Sequence, residues 1–126
     1  MLDDRAPKRL AQLCSMYVER QFDTVLIRLH GEFDLTCEEP FDAELAPVLA
    51  EDTPAIVLDL CGLRFIDSVG LQVLVKLNRV TGEAGHDFTV FCGEGHVRSV
   101  LSKTGLDGVL TIVDASGPVP ASDSPV

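Results

Sequence analysis

Asp67, Ser68 and Gly70 stand together in the stretch Phe65-Ile66-Asp67-Ser68-Val69-Gly70-Leu71, between the apolar runs AIVLDLCGL and LQVLVKL. An acid beside a hydroxyl at such a junction has three chemical uses. The first is a helix cap, in which an oxygen of Asp67 or of Ser68 accepts an orphan backbone N–H. The second is phosphoryl acceptance at Ser68. A phosphate adds about −1.5 to −2 charges, which the aligned N–H groups of a helix N-terminus tolerate. In a contact surface the partner would have to desolvate that charge, at a cost of about several kcal/mol if it stays unpaired. The third is nucleophilic catalysis. The G-x-S-x-G elbow is absent, because Ile66 stands where its first glycine would be, and a hydrolase is not expected. A phospho-aspartate receiver would use Asp59 or Asp67, but no acidic pair follows an early central strand to hold magnesium. Gly70 in a first helical turn costs ~1 kcal/mol relative to alanine. The position therefore needs bare backbone, either for packing of helix on sheet or for close approach of a partner.

The other reactive residue types are scattered. Cys14, Cys37, Cys61 and Cys92 form no C-x-x-C pair, and His30, His86 and His96 share no metal-ligand spacing. Neither a metal nor a cofactor is expected. Cys61 and Cys92 close apolar runs and read as small buried residues.

The elements that must position Asp67 and Ser68 follow from periodicity. Residues 15–21 and 24–31 read as two strands joined by a short turn at Phe22-Asp23, since Val25, Ile27 and Leu29 alternate with Leu26, Arg28 and His30. The stretch GEFDLTCEEPF leads into a helix. Thr36 and Glu39 have capping-box spacing there, Pro40 suits a first turn, and Phe41, Leu45, Val48 and Leu49 share a face. Pro47 should bend or break that helix. AIVLDL reads as a central strand ending near Cys61-Gly62, with LRFIDS as the loop beyond it. Sites in open α/β sheets lie at such carboxyl ends. A helix follows, with Gln72, Lys76, Arg79 and Glu83 as its polar stripe and Leu71, Val73, Leu74, Val75, Leu77 and Val80 filling the rest. Gly82 or Gly85 ends it. DFTVFC is a strand, GHVRSVLSKTG a short helix with Val97, Val100 and Leu101 inward, and GVLTIV a last strand. The order β-β-α-β-α-β-α-β predicts an α/β fold. Its sheet is mixed and mostly parallel, with an N-terminal antiparallel hairpin and helices packed against it.

The chain has 126 residues, of which 46% are hydrophobic. That suits one domain over residues 13–113, between a flexible arm at 1–12 and a disordered Pro/Ser-rich tail at 114–126. No run nears the ~20 apolar residues that span a bilayer, and the N-terminus lacks the apolar stretch of a secretory signal. The expected location is the cytoplasm. A formal charge of −10, from 20 acids and 10 bases, repels a phosphate backbone and argues against direct nucleic-acid binding. The composition leaves monomer and weak dimer both open.

GEFDLT after a strand, then LDLCGLRFIDSVGLQVLV, then VRSVLSKTGLDGVLTI, together resemble the STAS domain family in its single-domain bacterial form, the anti-sigma factor antagonists. The likeness runs from about Ser15 to Val113. It implies partner switching. The unphosphorylated protein would bind an anti-sigma factor, itself a serine kinase of the GHKL type, and so free the sigma factor. Phosphorylation of Ser68 would abolish binding, and a PP2C-type phosphatase would reset the switch. The same likeness places Asp34, Thr36, Asp67, Val69, Gly70 and Leu71 on the partner-binding surface. ATP and magnesium would belong to the kinase, and the chain itself would not be an enzyme. Val69 stands where the family often has Ser or Thr, and the family's helix after the last strand is not evident. The alternative is a STAS interaction or scaffold module that is not phosphorylated, with Ser68 serving only as a cap.

Overall fold

The structure, a computed structural model, describes residues 7–114. Its elements run β1 (Lys8–Ala11), β2 (Cys14–Gln21), β3 (Thr24–Phe33), α1 (Glu38–Ala50), β4 (Ala55–Ile66), α2 (Ser68–Glu83), β5 (Asp87–Cys92), α3 (His96–Lys103) and β6 (Ile112–Asp114). Short 3-10 turns occupy Leu35–Cys37 and Leu106–Gly108. The six strands form one sheet in chain order. The pairs β1–β2 and β2–β3 are antiparallel, and β3–β4, β4–β5 and β5–β6 are parallel. The expected mixed sheet with its N-terminal hairpin is therefore present.

Alternation explains the strands. Val25, Ile27 and Leu29 of β3 and Ile56, Leu58 and Leu60 of β4 join a single apolar cluster with Phe41, Leu45 and Val48 of α1, Val73, Leu74 and Leu77 of α2, and Val97 and Leu101 of α3. Phe33, at the end of β3, meets Phe41 edge to face at 5.4 Å, a favoured aromatic geometry. Val75, expected among the apolar fill of α2, is exposed, because it falls on the solvent side of the helix.

Further expectations need correction, among them the last strand, which is Ile112–Asp114 and not the whole of GVLTIV. Residues 8–11 of the expected arm are strand β1, paired as Lys8↔Met16 and Ala11↔Cys14 with Leu10 buried. One inward leucine over four residues gives no visible period. The capping box at Thr36 and Glu39 does not form: the residue before α1 is Cys37, which makes no side-chain cap. α1 runs unbroken through Pro47 to Ala50; the proline removes one N–H from the ladder close to the helix end, where few bonds remain to be disturbed. β4 continues to Ile66, so LRFI is strand and not loop. Its pairing with β3 is irregular between Arg28 and His30 and again between Gly31 and Glu32, which scrambles the alternation. Cys61 lies on the surface, although Cys92 is buried as expected. Residues 1–6 of the arm and 115–126 of the tail lie outside the described residues.

The β1–β2 connection is seated directly on β3. Gly31, at φ +99°, lies so close that a Cβ there would fall 1.9 Å from the carbonyl oxygen of Leu13. That oxygen accepts the Glu32 N–H at 2.8 Å. Gly31→Ala combines a left-handed backbone with a clash against main chain. It should lower stability by on the order of 3 kcal/mol, read as a fall in the urea midpoint. An unchanged midpoint would show that this contact is free to relax.

Candidate functional site

The site lies where β3 and β4 end side by side, with Phe33 paired to Ile66. Beyond β3, Asp34 adopts extended backbone and caps the 3-10 turn. Its Oδ1 accepts from the Thr36 N–H at 3.0 Å and from the Thr36 hydroxyl at 2.6 Å. These bonds hold the Asp34 carboxyl below the usual aspartate range, because they favour its charged form.

Beyond β4, Asp67 is the only residue before α2 begins. Its N–H donates to the Phe33 carbonyl at 3.2 Å. Its Oδ1 accepts from the Gly70 N–H at 2.9 Å, the bond of a helix cap. Its Oδ2 accepts from the Leu35 N–H at 3.2 Å. One carboxylate therefore ties the two chain segments into a single surface. It also decides between the two possible caps. Asp67 takes that role, and Ser68 becomes the first residue of α2, exposed, with a hydroxyl that makes no hydrogen bond among the described residues.

The residues expected on a contact surface do not all face outward. Thr36 and Ser68 are exposed, while Asp34, Asp67, Val69 and Leu71 are half-buried. Gly70 is buried: a Cβ there would meet Ile66 Cγ1 at 2.4 Å and Phe33 Cδ1 at 3.1 Å. Gly70 thus faces the sheet, and its bare backbone serves the seating of α2. Leu35 and Phe65 were not anticipated, and they are 64% and 39% exposed. The Phe65 ring stacks on His96 at 5.5 Å with the planes 8° apart. A lone leucine in a turn and an aromatic at a strand end carry no periodic signal. Only the tertiary structure shows that both stand on the surface.

Other reactive groups are engaged elsewhere. Asp59 is buried, accepting from the Cys61 N–H at 2.9 Å and from Arg28 Nε at 3.4 Å. The ring nitrogens of His86 face the carbonyls of Thr53 and Leu49, and His30 lies edge-on to Tyr17. Desolvation pushes the Cys14 thiol up to about 12, with help from Cys37 beside it, and pushes Cys61 up to about 12 with help from Asp59. Both are protonated at neutral pH and are poor nucleophiles. No cluster of three or more potential metal ligands occurs among the described residues, and none of their helices is long and apolar enough to cross a membrane.

A family model described as "Mlab, STAS domain" matches residues 16–114. The anti-sigma-F factor antagonist RsfB of Mycobacterium tuberculosis is 29% identical over 59 residues, 47% of this chain and 48% of that protein. The chain thus matches about half the length of this curated relative. A solved anti-sigma factor antagonist from Mycobacterium paratuberculosis superposes with a TM-score of 0.69 at 26% identity, covering 87% of this chain and 88% of the other. The unphosphorylated form of the anti-sigma factor antagonist SpoIIAA superposes with a TM-score of 0.66 at 23% identity, covering 78% and 87%. The latter likeness is one of fold.

Two measurements test this geometry. Asp67→Ala removes the α2 cap and leaves the Leu35 N–H without its acceptor, so stability should fall by about 1–2 kcal/mol. Amide exchange should quicken at Gly70 and Leu35 while the sheet stays protected; unchanged exchange at Leu35 would show that the bridge is not held in solution. Asp34 should titrate below an ordinary aspartate by NMR, and Thr36→Val should move it back up. Because the folded value is the depressed one, its stabilisation is present above the ordinary aspartate range. It is lost as pH falls through the folded value.

Proposed function

The chain belongs to the STAS domain family, and from that premise we propose that it acts as an anti-sigma factor antagonist whose binding is switched by a phosphate on Ser68. The observation that carries the reading is the division of labour at the start of α2. Asp67 satisfies the helix end, which leaves the Ser68 hydroxyl exposed and without a structural task. A kinase can reach it without opening the fold.

The chemistry of the switch follows from its neighbours. In the unphosphorylated state the surface offers the apolar side chains of Leu35 and Phe65 beside the carboxylates of Asp34 and Asp67. A partner with apolar groups and a basic side chain complements it. Phosphorylation adds about −1.5 to −2 charges beside a carboxylate that already takes up the Gly70 N–H. The helix N-terminus still stabilises part of the added charge, so the fold survives. A partner docked over Ser68 must desolvate the remainder, and each 1.4 kcal/mol of that penalty is about tenfold in affinity.

In this reading the partner is an anti-sigma factor serine kinase of the GHKL type, which brings its own ATP and magnesium. A PP2C-type phosphatase returns Ser68 to its free form, and the cycle runs in the cytoplasm. Ser68 is an acceptor here and not a catalytic nucleophile. The antagonists named among the similar proteins support the assignment.

Phosphopeptide mass spectrometry on the protein from its own cells, with Ser68→Ala as control, tests the modification. A phosphate on Ser68 that is missing in the control is the expected result. With the co-purifying kinase, Ser68→Ala should bind like the parent, and Ser68→Asp should bind on the order of 100-fold more weakly. Equal binding by Ser68→Asp would remove the charge switch and leave a constitutive interaction module.

A further inference from the structure

A second feature lies at the other end of the sheet. β3 is ten residues long, so at ~3.3 Å per residue its first residue stands about 30 Å from the Asp34–Asp67 surface. The hairpin turn Phe22-Asp23 projects at that pole, next to the start of β4, where Thr24 pairs with Ala55.

Phe22 combines two properties that the fold does not require. It is the single non-glycine residue with positive φ among the described residues, at +53°. Two-residue hairpins that need this conformation are made with Asn, Asp or Gly. Its ring is also fully exposed, at 107% of the reference area, and buries nothing. Isolated exposed apolar side chains are ordinary on surfaces. An aromatic one placed where asparagine would fold better is not accounted for by the turn.

The base beneath it is rigid. The Asp23 carbonyl accepts from the Ala55 N–H at 3.2 Å and from the Thr53 hydroxyl at 3.3 Å, which ties the turn to the α1–β4 connection. Phe22 borders a hollow of about 270 Å³ shared with Asp23, Glu51, Asp52, Thr53 and Pro54. Arg20 lies in the same hollow and pairs with Glu51, with Nε and Oε1 3.2 Å apart. Three carboxylates against one guanidinium leave an acidic rim around the ring.

We propose that Phe22 is the anchor of a second docking surface, which fits a protein partner presenting an apolar socket bordered by Lys or Arg. Aromatic anchors on fixed supports dominate interface energetics, because little freedom is lost when they dock. The acidic rim selects the partner's charge. It also opposes a second copy of this chain, which would bring the same acids face to face, and an anionic lipid surface. Because the surface lies at the opposite pole from Ser68, this partner binds the phosphorylated and unphosphorylated forms alike.

The test is photocrosslinking in the cells of origin, with p-benzoylphenylalanine at position 22 of the full chain and, as reference, at the exposed position 75. The expected result is a discrete adduct from position 22 alone, retained when Ser68 is changed to Asp. The protein so identified, once purified, should bind the Phe22→Asn variant at least about tenfold more weakly. It should bind the parent more weakly as salt rises, and Ser68→Asp should leave its affinity unchanged. Asparagine suits the turn, so circular dichroism and the urea midpoint should stay at parental values. The proposal is overturned by any of three results: no adduct beyond that from position 75, an adduct between two copies of the chain, or a captured protein that binds Phe22→Asn as tightly as the parent. Because the readout does not depend on Ser68, its failure would leave the phosphorylation reading standing, and the reverse also holds.

Discussion

The Asp67 carboxylate is the joint on which the carboxyl pole of the sheet depends. It has two oxygens and no donor, and each oxygen takes an N–H from a different part of the chain: Gly70 in its own helix and Leu35 after the neighbouring strand. The backbone adds a third tie, from Asp67 N–H to the Phe33 carbonyl. Parallel strands end without a turn between them, so nothing in the sheet itself holds the two following loops together. A side chain that caps one helix and reaches across to the next loop supplies what the ladder lacks. It also frees Ser68, since the cap position is held by a single residue and Asp67 fills it.

Packing makes this joint continuous with the core. Gly70 brings the first turn of α2 onto Ile66 and Phe33, and Phe33 in turn meets Phe41 of α1. The hydroxyl of Ser68 therefore sits at the outer edge of a close-packed column. Interiors of this kind respond to a perturbation as rigid bodies. A charge added at the edge acts on whatever touches the surface more than on the fold beneath.

Charge organises the rest of the surface. A chain with a formal charge of −10 steers basic partners to itself from a distance, but a net charge cannot tell one face from another. Exposed apolar side chains stand among the acids at both poles. Leu35 and Phe65 do so at the carboxyl pole, and Phe22 at the amino pole. Each pole offers a different geometry: a shallow surface over the ends of strands in one case, and a single knob on a braced turn in the other.

Much of this was legible in the residues alone. The alternation of β3, the apolar run opening β4 and the polar stripe of α2 are local patterns, because side-chain direction repeats every two or 3.6 residues whatever the chain's distant contacts. The junction of strand and helix at Asp67-Ser68, and the need for bare backbone at Gly70, come from the same local rules. What could not be read locally was decided by contacts between distant segments. β1 exists because β2 pairs with it, and β4 reaches Ile66 because β3 accompanies it through two irregularities that erase the period. The choice of Asp67 over Ser68 as the cap follows from the Leu35 N–H lying within reach, a residue 32 positions earlier. Gly70 faces inward because Ile66 and Phe33 lie beneath it, and Leu35 and Phe65 are left exposed where two neighbouring strands end. The sequence by itself determined the helices, the strands that carry a visible period, and where the reactive pair stands. The tertiary structure alone decided which way each residue of that pair faces and what surrounds it, because direction and proximity across a sheet belong to the pairing of strands and not to any one segment.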